Sequence, residues 1–498
     1  MKVEENITAR GARSPASTGS ASPSPAPLSA PSLTAVEAPV SPLVGDVVRR
    51  LRGDGERFIA VAPGRLDVMG GFAEYTGALT LSVPLQEHAC VGVQRRRDGI
   101  VSIAFVGAEG DNGSGALELL VQRLRLNDSG WIDAETGRAL ADTARGDAVC
   151  CALGALIETF RAGLFSALVD GVSVVLGSTL EGMTGSGRCA AIASATIVAG
   201  AGACGEGIEP LQQAAAICET VENRWLGFPA GPADAVSALL GEPSTLSQFR
   251  CDSRALGGAI RIPDDIRVIA IDCGASHADA AAKYAQVRTA SFMGRLLVDR
   301  IVRHDGLLNG HWDGFLSRVS VTDFVERFRD RIPSKLKGKD FLTRFGETGD
   351  PLTRVDPALV YKIRSRTEHH VYEHDRSRKF VEALSRAIRT KDRGSLHDAG
   401  EAMYASHWSC GQRCGLGSVE ADALVSLLRK HGEKTGIYGA RMTSRGCGGI
   451  VAVLSDASEP AEGALTAALD DYARKTGSRA RILNGSLPGA MVRGPIRA

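Results

Sequence analysis

The chain has no run of about 18 uninterrupted apolar residues, which leaves no segment that reads as a membrane-crossing helix. Its first residues lack the basic stretch and apolar core of a secretory signal, so a cytoplasmic protein is expected. Net charge is almost absent, with 58 Lys and Arg against 57 Asp and Glu. No overall field draws such a chain onto nucleic acid or an anionic membrane, and a small-molecule partner is expected instead. Eleven cysteines are scattered, several inside apolar stretches (Cys150, Cys151, Cys218), a usage that fits reduced, buried thiols better than a disulfide framework. His407, Cys410 and Cys414 have the look of a zinc fragment but lack a fourth ligand at metal-site spacing. No period of 20 to 50 residues marks a solenoid.

What is present is enough apolar material, 44% of 498 residues, for a large core and two or more domains. Residues 1–41 are rich in Ala, Ser, Pro and Thr and are expected to be a disordered tail. An amphipathic helix begins at SPLVGDVVRRLRG, with Leu43, Val47, Val48 and Leu51 at helical spacing. RFIAVAPGR, ALTLSVPL and ACVGVQRRRDGIVSIAFV read as several strands separated by turns. From Asp147 the texture becomes helix (DAVCCALGALIETFRAGL), strand (GVSVVLGS) and two helices (CAAIASATIVAGAGA and PLQQAAAICETVENRWLG). The strand DIRVIAIDCG opens a second α/β domain with long helices expected over residues 285–304 and 376–388, then helix SVEADALVSLLRK and strand GIVAVLS.

Three stretches carry chemistry. EGMTGSGRCAAIASA, residues 181–195, places a glycine-rich loop between a strand and an alanine-rich helix, the context in which backbone N–H groups and a helix N-terminus meet an anion. Gly182 to Cys189 comes near G-x-x-x-x-G-K-[ST], with Arg188 for the lysine and Cys189 for the hydroxyl residue, and no acidic strand end follows as its partner. A loop of small residues that lets a helix pack tightly explains the same composition. APGRLDVMGGFAEYTGALTL, residues 62–81, sets Pro, Gly and Arg at a turn and then Glu74 and Tyr75, suited to gripping hydroxyls. GARMTSRGCGGIVAVL, residues 439–454, is a second glycine-rich loop running into a strand. Taken singly, Asp234 could cap a helix, Arg65 could form a surface pair and Glu222 could be a solvated helix residue. His277, His369 and His370 read as ordinary structural histidines.

In combination and in order, these stretches resemble the GHMP small-molecule kinases, in particular the galactokinase and L-arabinokinase branch. PGRLDVMGG has the L-arabinokinase wording where galactokinases carry Asn and a Gly-Glu-His sequence. CETVENRWLGFPAGPADAV, IDCGASHADAAAKYAQVRTASFMGR, YKIRSRTEHHVYEHDRSRKF and MYASHWSCGQRCGLGSVEADALV extend the likeness over most of residues 58–454, except about 107–167. The resemblance implies a two-domain α+β GHMP kinase fold, with an N-terminal domain like ribosomal protein S5 domain 2 over residues 42–262 and an α/β C-terminal domain over 263–498. It further implies ATP and Mg²⁺ as cofactors and a monosaccharide as substrate. By position, Asp234 is the implied general base and Arg65 its partner. Gly182, Gly185, Ser186, Gly187, Arg188, Cys189, Ala190, Arg445, Gly446 and Gly448 fall on the nucleotide loops. Asp67, Gly71, Glu74 and Tyr75 fall on the sugar site, and Glu222 with Ser186 on the metal site.

The second motif of this family holds consecutive serines where this chain reads Gly187, Arg188, Cys189, and the third carries Ser444 and Arg445 in place of small residues. Ala235 replaces the Gln that follows the catalytic aspartate. Two expectations follow: a sugar 1-kinase in which Arg188 and Arg445 take over part of the metal's electrostatic role, or an impaired homologue acting as a sugar sensor or scaffold. Intact Arg65, Glu222 and Asp234 favour the first.

Overall fold

The computed structural model describes residues 41–106, 116–126, 130–142, 146–208, 211–275, 280–306, 312–432, 434–443 and 449–498. The expected tail up to residue 40, together with His277, Arg445, Gly446 and Gly448, lies outside them. The folded chain opens on helix α1 (Pro42–Arg50), where Ser41 caps the first turn and proline occupies a position that needs no N–H donor. Its apolar stripe seats Val47 against Ile59, Val61 and Cys90 of the strands that follow.

The first of these, β1 (Arg57–Met69), pairs antiparallel with β2 (Leu79–Arg95). The stretches ALTLSVPL and ACVGVQ, expected as separate strands, form one 17-residue strand through Pro84. The proline is tolerated because no strand is paired to residues 83–88 of β2 on their second side: Leu79–Ser82 pair with β6 (Thr245–Arg250) and Ala89–Arg95 with β5 (Val172–Ser178). Beyond β5 lie β3 (Ile100–Val106), parallel to it, and β4 (Ala116–Leu120), while β7 (Ala255–Arg261) extends the sheet from β6. The parallel pairing needs a crossover, which runs through α2 (Asp147–Arg161). Against the inner face lies α3 (Arg188–Cys204), whose alanines bring its axis close to β1 and β2. It is followed by α4 (Leu211–Thr220), a single π-turn (Val221–Trp225) and α5 (Ala233–Leu240).

A second, antiparallel sheet contains β8 (Ile266–Asp272), β9 (Ile437–Met442), β10 (Ile450–Asp456) and β11 (Arg481–Leu483) in the order β9-β10-β8-β11. Between β8 and β9 come α6 (Ala280–His304), α7 (Ile363–Thr390), α8 (Arg393–Ser409) and α9 (Val419–Gly432). Helix α7 is 28 residues long and begins well before the expected residue 376. Its buried side includes Thr367, His369, His370, Glu373 and Ser377, polar groups that hide the helical stripe from a hydrophobicity reading. After α10 (Glu459–Thr476) the chain returns to the first sheet, where β12 (Ile496–Arg497) pairs with β1. One apolar cluster spans both sheets, from Leu66 and Ile192 to Phe380, Ile450 and Leu454.

Trp225 shows how the part of the chain without a recognised likeness joins this core. It is fully buried, and a Cβ added at Gly137 or Gly154 would stand 2.0 or 2.9 Å from its ring. Its indole N–H donates to Glu158 Oε1 at 2.9 Å. Trp225→Ala is expected to cost about 3–5 kcal/mol, read as a lower urea midpoint with an unchanged m-value.

Candidate active site

The site begins with an irregularity in β1. Between Pro63 and Arg65 the register against β2 slips, and the Arg65 N–H donates instead to the Ser186 carbonyl at 2.8 Å. This bond fastens the loop between β5 and α3 onto β1. Gly64 makes the approach possible, since a Cβ there would stand 2.8 Å from the same carbonyl. Gly187, at φ +73°, turns the chain into α3. The first N–H groups of that helix carry no side-chain cap.

Beside this turn lies a buried chain of alternating charges. Arg65 Nη1 meets Asp234 Oδ1 at 2.5 Å, and Arg65 Nη2 meets Asp67 Oδ1 at 3.4 Å. Arg441, at the end of β9, reaches across from the second sheet with Nη1 to Asp67 Oδ2 (3.1 Å) and the Val68 carbonyl (3.1 Å). Its Nη2 faces Glu373 Oε1 of α7 at 3.9 Å. Burial alone would lower the pKa of Arg65, but the carboxylates of Asp234, Asp67 and Glu74 more than offset it and hold the guanidinium above its ordinary range. Asp234 sits in the first turn of α5, where the helix dipole also favours its anion. A side chain at Gly187 would lie 3.5 Å from Asp234 Cγ and 3.6 Å from Arg65 Cβ. The structure therefore brings Arg65, Asp234 and the first glycine loop together.

Glu74 and Tyr75 lie in a short 3₁₀ segment, Gly71–Thr76, and both line a cavity of about 770 Å³, within the range of small-molecule pockets. Glu74 is buried and its Oε1 accepts from the Gly231 N–H at 3.0 Å; a Cβ at Gly231 would stand 2.6 Å from the carboxyl carbon. Pro232, two residues before Asp234, belongs to the same wall. The Tyr75 hydroxyl points elsewhere. His370 uses Nδ1–H toward the Arg366 carbonyl (2.8 Å), so its Nε2 accepts the Tyr75 O–H at 2.7 Å.

The remaining implied residues divide. Asp67 is fully buried between Arg65 and Arg441, and the Gly71 N–H donates to its Oδ1 at 3.0 Å, with no room for a side chain at 71. Both brace Arg65 and neither lines the cavity. Gly182 is exposed and Gly185 half-buried in the loop, and Ala190 is buried in α3. Ser186 Oγ donates to the Met183 carbonyl at 2.8 Å. Arg188 is paired along the loop with Glu181 Oε1 at 2.7 Å. The Cys189 thiol hydrogen-bonds Cys151 of α2, and that contact together with burial pushes the Cys151 thiol up. Glu222 is buried in the π-turn, a distortion common at functional sites. His407 accepts the Met442 N–H through Nδ1 (3.3 Å) and faces Asp422. Among the described residues, no group of three or more His, Cys, Asp or Glu forms a metal cage.

No protein-family profile matches the chain. It is 28% identical over 486 residues to L-arabinokinase of Arabidopsis thaliana, covering 87% of this chain and 46% of that protein. It is 23% identical over 460 residues to the galactokinase of Streptomyces coelicolor, covering 91% and 98%. The chain thus spans about half the length of the L-arabinokinase it matches. The crystal structure of Lactococcus lactis galactokinase complexed with galactose superposes with a TM-score of 0.64 at 18% identity, over 89% of this chain and 95% of that one. Methanococcus jannaschii mevalonate kinase gives 0.50 at 13% identity, over 86% and 98%. The chain is a homologue of sugar kinases with the GHMP kinase fold. Within that fold, Arg441 and Glu373 both lie in stretches that the sequence singled out, GARMTSRGCGGIVAVL and YKIRSRTEHHVYEHDRSRKF, but neither residue stood out there. An arginine just before the second glycine loop was the available signal.

Two outcomes test this wiring. Arg441→Met leaves Asp67 buried beside a single cation and is expected to cost about 3–5 kcal/mol by urea denaturation; the Asp67→Asn, Arg441→Met double variant costs less than the sum. Burial holds His370 down to about 4, against an ordinary value of about 6.5. Below that ordinary value the unfolded chain takes up a proton that the fold refuses. Stability is therefore full above about pH 6.5 and is lost as pH falls toward 4, by about 3 kcal/mol through this residue alone. The gap between urea midpoints at pH 7.5 and pH 5 is expected to shrink in His370→Gln.

Proposed function

We propose that the protein is an ATP-dependent monosaccharide 1-kinase that phosphorylates the anomeric hydroxyl of L-arabinose, galactose or a related sugar. The observation that carries this reading is the buried Arg65–Asp234 pair, set between a glycine loop that opens a helix and a cavity walled by Glu74. Residues 42–262 supply these groups, and residues 263–498 supply Arg441 and the second glycine loop with Arg445, Gly446 and Gly448. Division at 262/263 is part of the proposal.

The chemistry follows from the placement of charge. Asp234, paired with Arg65, accepts the proton of the sugar hydroxyl as that oxygen forms its bond to the γ-phosphorus and the bond to the departing ADP oxygen breaks. Arg65 stays cationic throughout and offsets charge on the transferring group. Gly182 to Ala190 present the N-terminal N–H groups of α3 to the phosphates, with Arg188 as an added cation. Glu74 accepts hydrogen bonds from sugar hydroxyls, and the Tyr75 ring forms part of the wall. One buried carboxylate without a protein cage suits Mg²⁺, which is usually completed by phosphates and water. Glu222 and Ser186 are the residues that would hold it, and when bound its charge would offset that of the phosphates.

A second reading, a homologue that binds sugar or nucleotide without turnover, is favoured by one observation: the Ser186 hydroxyl is turned onto the Met183 carbonyl, and Gly187, Arg188 and Cys189 supply no hydroxyl where the family holds serines. ADP release across a panel of free sugars separates the two. The kinase reading expects sugar-dependent ADP release that falls by about 10²–10⁴-fold in Asp234→Asn. Absence of ADP with every sugar, alongside measurable sugar binding, would overturn it. Activity in Arg188→Ala but not in the native chain would mean that this guanidinium blocks the phosphate pocket.

A further inference from the structure

The wall of the cavity that faces the second half of the chain is built around Arg288 of α6. Its guanidinium is 4% exposed yet lines the cavity. Asp350 grips it in two parallel bonds, Nε to Oδ2 at 2.8 Å and Nη2 to Oδ1 at 2.9 Å. Asp350 is itself fixed by Thr353 Oγ1 (2.6 Å) and the Leu352 N–H (3.2 Å). The guanidinium lies over the Tyr75 ring, 4.6 Å from its centroid, and 5.0 Å from that of Phe292. Nη1 reaches the Pro229 carbonyl at 3.5 Å, in the segment that leads to Asp234. Of five N–H groups, three therefore have acceptors, and one on each Nη has none among the described residues. A donor pair this deeply buried and this rigidly held is costly to leave without acceptors.

We infer that Arg288 is a sugar-binding residue, donating from its two Nη atoms to oxygens of the substrate, with Asp350 as the positioning residue that fixes its plane. This rests on reading the cavity as the sugar site. Glu74 can only accept and Arg288 can only donate, so the two read hydroxyl and ring oxygens of one pyranose in complementary ways. The ligand class is a neutral sugar rather than a uronate. Asp350 already balances the Arg288 charge, and the other charged residues of the same walls, Glu74, Glu219 and Asp252 with Arg224 and Arg254, leave no excess of cations for a carboxylate.

The test is calorimetric titration of the full chain with L-arabinose, D-galactose, their monodeoxy analogues and D-galacturonate, which reads binding without requiring phosphoryl transfer. In the native chain one deoxy analogue is expected to bind about tenfold or more weaker than its parent. Arg288→Met is expected to weaken the parent sugar by about tenfold or more and to bring parent and analogue within about twofold of each other, with ATP affinity unchanged. Arg288→Lys retains part of the affinity, and Asp350→Asn weakens sugar binding less than Arg288→Met does. Thermal melts identify any variant that fails to fold, in which case the Lys variant decides. Native-like sugar affinity in Arg288→Met, retained discrimination against the deoxy analogue, or tighter binding of galacturonate than of the neutral sugars would overturn the proposal. If the native chain binds no sugar, the reading of the cavity falls and this inference with it.

Discussion

The structure is organised around one guanidinium that must serve two carboxylates. Arg65 is buried between Asp234 and Asp67 and pairs with both. Desolvated charges are expensive, and the arrangement holds only because a second cation, Arg441, neutralises the far side of Asp67 and is balanced in turn by Glu373. The row Glu373, Arg441, Asp67, Arg65, Asp234 alternates in sign and passes from α7 and the second sheet to β1 and α5, which carry the proposed catalytic pair. A displacement at either end changes the field felt at the other, so the two sheets are joined by electrostatics as well as by their shared apolar core.

Steric details convert that row into a site. The slip in β1 at Pro63–Arg65 turns a main-chain N–H from the ladder to the Ser186 carbonyl, so one strand irregularity aims the arginine and anchors the glycine loop together. Gly231 lets Glu74 stand against the segment leading to Asp234. Tyr75 adds its ring to the cavity wall while its hydroxyl is held by His370, and burial keeps that histidine neutral, as an acceptor of the tyrosine proton must be. Tyr75 and Arg288 are thus each fixed by a partner outside the cavity, the kind of support that lets a binding residue keep its geometry before a ligand arrives.

Much of this was legible in the sequence. The strand, loop and alanine-rich helix around Gly182 to Ala190 form as the pattern predicts, whereas the expected turn at Pro-Gly-Arg is a register slip within β1, from which Arg65 meets the aspartate of GPADAV. What escaped reading has physical reasons. Strand periodicity could not reveal that Pro84 lies in a gap between two neighbours of β2. Helix α7 was foreshortened because its buried face is polar through Glu373, and each such residue is satisfied by a partner distant in sequence. Asp67 and Gly71, implied as substrate residues by position, instead brace Arg65, since an aspartate in place of asparagine brings a charge that needs Arg441 beside it. Cys189, at a position where the family has a hydroxyl, faces Cys151 of α2, a contact no local pattern encodes.

The pairing of β12 with β1 bears on how the molecule is assembled. Phe58 and Ile59 find their partners in Arg497 and Ile496, so an edge of the sheet that carries Arg65 is closed by residues made nearly a whole chain later. Until those residues emerge from the ribosome, that edge offers unpaired N–H and C=O groups, the template on which nascent strands associate wrongly. Completion of the sheet that carries Arg65 is therefore a long-range step in biosynthesis, and any lesion that keeps Ile496 and Arg497 from docking leaves the border of that sheet open to wrong partners.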